Sequence, residues 1–107
     1  MRGGDVTPIS LVFVNGRIHT GDVRRPMADA IAVAGREFAL VGSSAEVRKL
    51  AGASARVVDL RGATVLALTD HATLRRGGPA SLVVLAADGV TEVLRMVDGT
   101  IVAARTP

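Results

Sequence analysis

The stretch LVFVNGRIHTGDVRRPMADAIAVAGREFALVG, Leu11 to Gly42, restricts this chain to a β architecture. Short apolar, β-branched runs alternate in it with polar breaks, so that each run is able to pair with the one before it. Ile9 to Val14 is almost continuously apolar, as expected of a strand covered on both faces. Asn15-Gly16 predicts a two-residue hairpin, because a type I′ turn needs positive φ at both central residues, and Arg17-Ile18-His19 is then the returning strand. Residues 20–27, TGDVRRPM, form a polar connection ended by Pro26. Ala28 to Ala34 alternates small residues with Ile31 and Val33, which suits a strand lying close under a neighbour. Gly35-Arg36 is a turn, and Glu37 to Val41 runs back with Phe38 and Leu40 on one face.

The segment SSAEVRKLAG that follows Gly42 is helical by its start and stop signals. Ser43 and Glu46 have capping-box spacing, Val47, Leu50 and Ala51 fall on one stripe, and Gly52 offers the left-handed residue after the last turn. A helix this short does not persist alone and must dock on the sheet. Arg56 to Leu60 and Ala63 to Leu68 read as strands joined by a tight Arg61-Gly62 turn, the second returning along the first. Residues 69–80, TDHATLRRGGPA, are a long polar connection, and Ser81 to Ala87 is a continuous apolar run read as an inner strand. Glu92 to Val97 and Thr100 to Ala104 flank Asp98-Gly99, a second turn of the I′ type. The expected fold is mainly all-β, a β-sandwich or distorted barrel of about eight or nine strands with one short helix near residues 43–51. The length suits a single domain over residues 1–107.

Charge and composition narrow the function classes. Hydrophobic residues make up 49% and charged residues 21%, a globular balance, and no apolar run approaches the ~20 residues needed to cross a bilayer. The N-terminus MRGGDVTPIS lacks the apolar stretch of an export signal and cysteine is absent, so a reducing cytoplasm is the expected compartment. Twelve arginines and Lys49 give a formal net charge of +3, spread along the chain with short pairs only at Arg24-Arg25 and Arg75-Arg76. Phe13 and Phe38, the two aromatics, lie inside apolar strands. Nucleic-acid readers show a basic stripe, and single-strand binders add stacking aromatics, so neither a nucleic-acid nor a membrane partner is expected.

Two segments carry a resemblance. Val12 to Leu66, VFVNGRIHTGDVRRPMADAIAVAGREFALVGSSAEVRKLAGASARVVDLRGATVL, resembles the N-terminal part of amidohydrolase-superfamily enzymes, the metal-dependent hydrolases that begin with a strand and an Asn-Gly turn. Leu74 to Arg105, LRRGGPASLVVLAADGVTEVLRMVDGTIVAAR, resembles the extreme C-terminus of the same enzymes. In that family the two ends form a composite β-sandwich beside an inserted catalytic (β/α)8 barrel. The resemblance therefore implies a composite domain with an N-terminal part near 9–68 and a C-terminal part near 74–105, joined between about Leu68 and Thr73 with the barrel missing. Ser81 departs from the family, which has aspartate there. The family's first metal ligands, a His-x-His pair, would fall in Leu68-Thr69-Asp70-His71-Ala72-Thr73, where one histidine remains and Thr73 holds the partner position. The remaining ligands belong to barrel strands this chain does not have, so the resemblance carries over the fold and no catalytic residue.

No catalytic, metal-binding or cofactor-binding residue is assigned from the residues themselves. A catalytic zinc site needs about three converging protein ligands, and only His19 and His71 occur, the latter beside Asp70. Ser43 and Ser44 are accounted for by capping, Ser54 and Ser81 stand at strand starts, and no Gly-x-Ser-x-Gly elbow is present. Glu37 and Asp59 lie on strands, Glu46 in the capping box and Asp98 in a turn, with nothing to mark a carboxylate pair of split pKa. Arg75-Arg76-Gly77-Gly78 could wrap an anion with exposed amides, but no helix start or Gly-Lys-Ser/Thr signature follows it. The expected function is a non-catalytic, stand-alone relative of the composite domain. It would be a structural module that forms a homodimer through the face a barrel would cover. The alternatives are a hydrolase component that needs a separate barrel subunit, and a small-molecule or anion binder at Arg75–Gly78 and Arg24-Arg25.

Overall fold

The computed structural model describes residues 8–52, 55–68 and 73–104. Its elements are β1 (Leu11–Val14), β2 (Arg17–His19), β3 (Met27–Ala28), β4 (Ala30–Ala34), β5 (Glu37–Gly42), α1 (Ser44–Leu50), β6 (Arg56–Asp59), β7 (Thr64–Ala67), β8 (Leu82–Leu85), β9 (Glu92–Val97) and β10 (Thr100–Ala104). A four-stranded sheet in the order β5-β4-β1-β6 faces a six-stranded sheet in the order β10-β9-β8-β7-β2-β3. This is the expected all-β sandwich, with ten strands among the described residues once the two-residue β3 is included. Among the described residues no helix is long and apolar enough to cross a membrane.

Side-chain alternation builds the core. Leu11 and Phe13 on β1, Ile31 and Val33 on β4, and Phe38 on β5 point inward, and Ile18, Val65, Leu82, Val84 and Met96 meet them from the six-stranded sheet. The opposite faces of β1 and β4 present Val12, Val14, Ala30 and Ala32, and α1 packs there through Val47. Small alanines on β4 let the helix approach the sheet closely. Burying Val47 stabilises the contact by about 1.5–3 kcal/mol. β1 is thus covered on both faces, as its continuous apolar run predicts.

The helix forms with the expected capping box: the Glu46 N–H donates to Ser43 Oγ at 3.1 Å, and the Ser43 N–H donates to Glu46 Oε1 at 3.0 Å. Its far end departs from expectation. Ala51 is an extended C-cap (φ −70, ψ 131), Gly52 does not adopt the left-handed conformation, and Leu50 is 49% exposed rather than part of a buried stripe. A helix of seven residues can seat one buried side chain on this sheet, and Val47 occupies that place.

Two of the four expected turns join adjacent strands. β4 and β5 pair antiparallel around Gly35 (φ 64), and β9 and β10 around Asp98 (φ 48) and Gly99 (φ 84). Asn15-Gly16 is not a hairpin. Asn15 takes a left-handed φ of 58, but Gly16 does not follow, so no type I′ turn closes and the chain crosses from one sheet to the other. β1 instead pairs parallel with β6 and antiparallel with β4, and β2 pairs parallel with β7. At Arg61-Gly62 the tight turn exists, with the Ala63 N–H on Leu60 O at 2.9 Å, yet β6 and β7 diverge into different sheets. The two sheet-crossing corners run side by side. The Leu60 N–H donates to Val14 O at 2.8 Å, the Gly62 N–H to Asn15 O at 2.7 Å, and the Arg17 N–H to Ala63 O at 2.9 Å. A Cβ on Gly16 would strike Leu60 Cδ1, so the glycine serves the close approach of the two corners rather than a hairpin.

Residues 73–80 carry the chain along the rim of both sheets. The Leu74 N–H donates to Thr20 O, the Gly77 N–H to Phe38 O, and the Ala80 N–H to Arg36 O, all at 2.7–2.8 Å. β8 then pairs antiparallel with β7 in the register Thr64↔Leu85 to Ala67↔Leu82. Ser81 to Ala87 is therefore an inner strand of the sheet, but it is not covered on both faces. Leu82 and Val84 are buried, whereas Val83 and Leu85 are only partly so.

Candidate functional site

The densest polar constellation lies where the sheet-crossing corners meet the start of α1. Ser44, the first helical residue, has an N–H without an intrahelical acceptor. That N–H and the Ser44 hydroxyl both donate to Asp29 Oδ2, at 2.8 and 2.9 Å, while the Asn15 N–H donates to Ser44 Oγ at 3.1 Å. Asn15 Nδ2 donates to Asp59 Oδ1 at 3.2 Å, and the Arg61 N–H reaches the same oxygen at 3.0 Å. Four residues far apart in sequence are thereby tied together, and the hydroxyl of Ser44 is committed to Asp29 rather than poised as a nucleophile. The Arg61 N–H first, then the Asn15 amide and the Arg61 and Arg48 charges hold the Asp59 carboxyl below the usual carboxylate range. Glu46 is likewise lowered, by the Ser43 N–H first, then the Ser43 hydroxyl and Arg25. An acid held ionised by the turn it closes is a structural group, not a proton donor at neutral pH.

Asp29 is the member that sequence reasoning missed. It interrupts the alternating run at Ala28–Ala34 and separates β3 from β4, and a single carboxylate in an otherwise apolar segment is the signal that could have marked it.

The remaining candidates do not converge. His71, Asp70 and Ser54 lie outside the described residues. His19 is exposed on β2, and Glu37 is exposed at the start of β5. Ser81 Oγ accepts the Asp98 N–H at 3.0 Å, and Asp98 pairs with Arg36 at 3.3 Å, so both belong to the β9–β10 hairpin and its neighbour turn. Among the described residues no group of three His, Cys, Asp or Glu side chains is placed to hold a metal ion. In the Arg75–Gly78 loop the Gly77 N–H is bound to Phe38 O at 2.8 Å and the Gly78 N–H to Arg75 O at 3.0 Å. Arg25 leaves the Arg24-Arg25 pair to meet Glu46 at 3.6 Å.

Two surfaces remain open. The outer face of the six-stranded sheet carries Leu66 and Val83, which are register partners, together with Leu85; all three are partly exposed, and among the described residues no helix lies over them as α1 lies over the other sheet. On that other sheet, a shallow groove runs between α1 and β5, lined by Ala39, Leu40, Glu46, Lys49, Leu50 and Arg76.

Known proteins are similar to parts of this chain. No family model matches the sequence. An N-substituted formamide deformylase of Arthrobacter pascens is 39% identical over 56 residues, which are 52% of this chain and 10% of the deformylase. Over that stretch the chain is similar to the deformylase. The chain spans about a tenth of the length of the curated relative it matches. Among solved structures, an uncharacterised metal-dependent hydrolase from Pyrococcus furiosus aligns over 53% of this chain and 12% of its own, with 21% identity and a TM-score of 0.48. The protein BT9727_2919 of Bacillus thuringiensis aligns over 67% of this chain and 99% of its own, with 25% identity and a TM-score of 0.51.

Proposed function

We propose that this chain is a non-catalytic sandwich module of the metal-dependent hydrolase lineage, a composite of N- and C-terminal segments that associates with a second copy of itself. The observation that carries the reading is the β7–β8 ladder, in which the segment beginning at residue 73 pairs directly with the segment ending at 68. With that ladder the six-stranded sheet is continuous from β10 to β3. Among the described residues, Ser44, Asp29, Asp59 and Ser81 serve as caps and turn locks, which supports a structural role for them.

Self-association follows from the uncovered face. Leu66, Val83 and Leu85 form an aliphatic centre on the outer side of the six-stranded sheet, flanked by Arg17 and His19 on β2 and by the Glu92–Arg95 pair on β9. A two-fold axis through such a patch buries the same residues from both copies. Analytical ultracentrifugation at tens of micromolar is expected to show a dimer, and Val83→Glu is expected to give a folded monomer. A monomer for the unaltered chain would refute the self-association reading.

The second reading is a hydrolase component whose barrel is supplied separately. The deformylase match favours it, since the similar segment is a small part of a much longer enzyme. Stoichiometric zinc retained by the purified chain, or turnover on N-substituted formamides, would replace the first reading with this one.

A further inference from the structure

We propose that the groove between α1 and β5 docks an extended, acidic segment of a partner protein. β5 is the last strand of its sheet, and a last strand carries backbone groups that another chain can use. Gly77 and Gly78 occupy the N–H and C=O of Phe38, and Pro79 bridges Glu37, but among the described residues the crossover makes no backbone hydrogen bond to β5 beyond Phe38. Beyond Phe38 the surface is aliphatic, with Ala39 and Leu40 below and the 49%-exposed Leu50 on the helix beside them.

Charge decides what suits this groove. The only carboxylate lining it, Glu46, is engaged by Ser43 and by Arg25. Lys49 and Arg76 line the same groove and have no ion-pair partner among the described residues. Arg25 holds Glu46 at 3.6 Å, which leaves Lys49 and Arg76 as the charges the groove offers. An aliphatic floor bracketed by unpartnered cations beside an open strand edge fits strand addition by a peptide that alternates apolar and acidic side chains. Nucleic acid fits poorly, because no aromatic ring lines the groove for base stacking. A second copy fits poorly too, because a chain of formal net charge +3 would bring like charge to a cationic rim. Residues 1–7 carry one arginine and one aspartate and offer no complementary charge.

The test uses the full chain and a fluorescein-labelled peptide of about ten alternating valines and glutamates, long enough to run the length of the strand. Fluorescence anisotropy should show saturable binding that weakens as salt is raised. Replacing valine by serine, or glutamate by lysine, should weaken it by about tenfold or more. The double variant Lys49→Glu/Arg76→Glu should bind about tenfold or more weakly while keeping the far-UV spectrum of the unaltered chain, since both side chains are exposed. Leu50→Glu, at another exposed position, should do the same. The proposal is overturned by absence of saturable binding, by equal binding to the charge-reversed double variant or of the valine–lysine peptide, or by tighter binding of an oligothymidylate than of the peptide.

Discussion

Leu82→Ala strikes the seam where the C-terminal segment joins the fold, and its effect can be worked from the structure. Leu82 is fully buried, opposite Ala67 on β7 and Met96 on β9, with Val84 two residues along on the same face. Truncating a leucine at such a site removes its transfer free energy and leaves a cavity, together about 2–5 kcal/mol. A domain of this size has about 5–15 kcal/mol in all, and each kcal/mol moves the midpoint of thermal unfolding by roughly 4–8 °C. A loss of about 3 kcal/mol should therefore lower that midpoint by roughly 12–24 °C. Tryptophan and tyrosine are absent, so unfolding is best followed by far-UV circular dichroism in heat and in urea. Val57→Ala on β6, where the side chain is 56% exposed, is the control and should stay within about 0.5 kcal/mol. Refutation would take either of two forms: a Leu82→Ala loss no larger than that of the control, or two separate transitions in which one keeps the original midpoint. Either would mean that the two segments do not fold as one cooperative unit.

Gly99→Ala should destabilise by about 1–3 kcal/mol in the same assay, because the residue has a φ of 84 and a Cβ would meet the Gly35 carbonyl of the neighbouring turn. Ser43→Ala removes the hydroxyl half of the capping box and should cost about 1 kcal/mol, read as a lower urea midpoint with an unchanged slope. Acid should destabilise the fold. Asp59, Glu46 and Asp88 have folded-state pKa values below their ordinary ones, Asp88 through the Thr91 hydroxyl first and then the Thr91 and Val90 N–H groups. Depressed carboxylate pKa values contribute stability above the unfolded-state value that is lost as pH falls through the folded-state value. The urea midpoint should hold near neutrality and drop below about pH 4. A midpoint independent of pH down to pH 3 would contradict this, and Asp59→Asn should flatten the acid limb.

Local chemistry made the strands, the capping box and two turns readable. Ser43 with Glu46, Gly35-Arg36 and Asp98-Gly99 act through hydrogen bonds and φ preferences set within a few residues, and each appears as the sequence implies. Asn15-Gly16 has the same local chemistry, but its outcome depends on partners that are distant in sequence. Parallel pairing of β1 with β6 and the packing of Gly16 under Leu60 turn a hairpin signal into a crossing between sheets. Arg61-Gly62 shows that a correctly read turn need not join paired strands. Helical spacing puts Leu50 on one stripe with Val47, but spacing gives only an angle around the helix axis, and the width of the sheet beneath sets how much of that face is covered. The corner constellation was less legible than the fold. Asn15, Asp29, Ser44 and Asp59 are brought together by the sheet crossings, and no spacing along the chain encodes that meeting.

Native-state hydrogen exchange on the backbone amides, resolved by NMR, tests most directly whether the fold is one unit built from two segments. Amides in β8 and β9 should exchange with the same opening free energy as those in β1 and β4, near the global value for unfolding. If β8–β10 opened at a free energy several kcal/mol below that of β1 and β4, the C-terminal segment would be an appendage, and the account would be wrong.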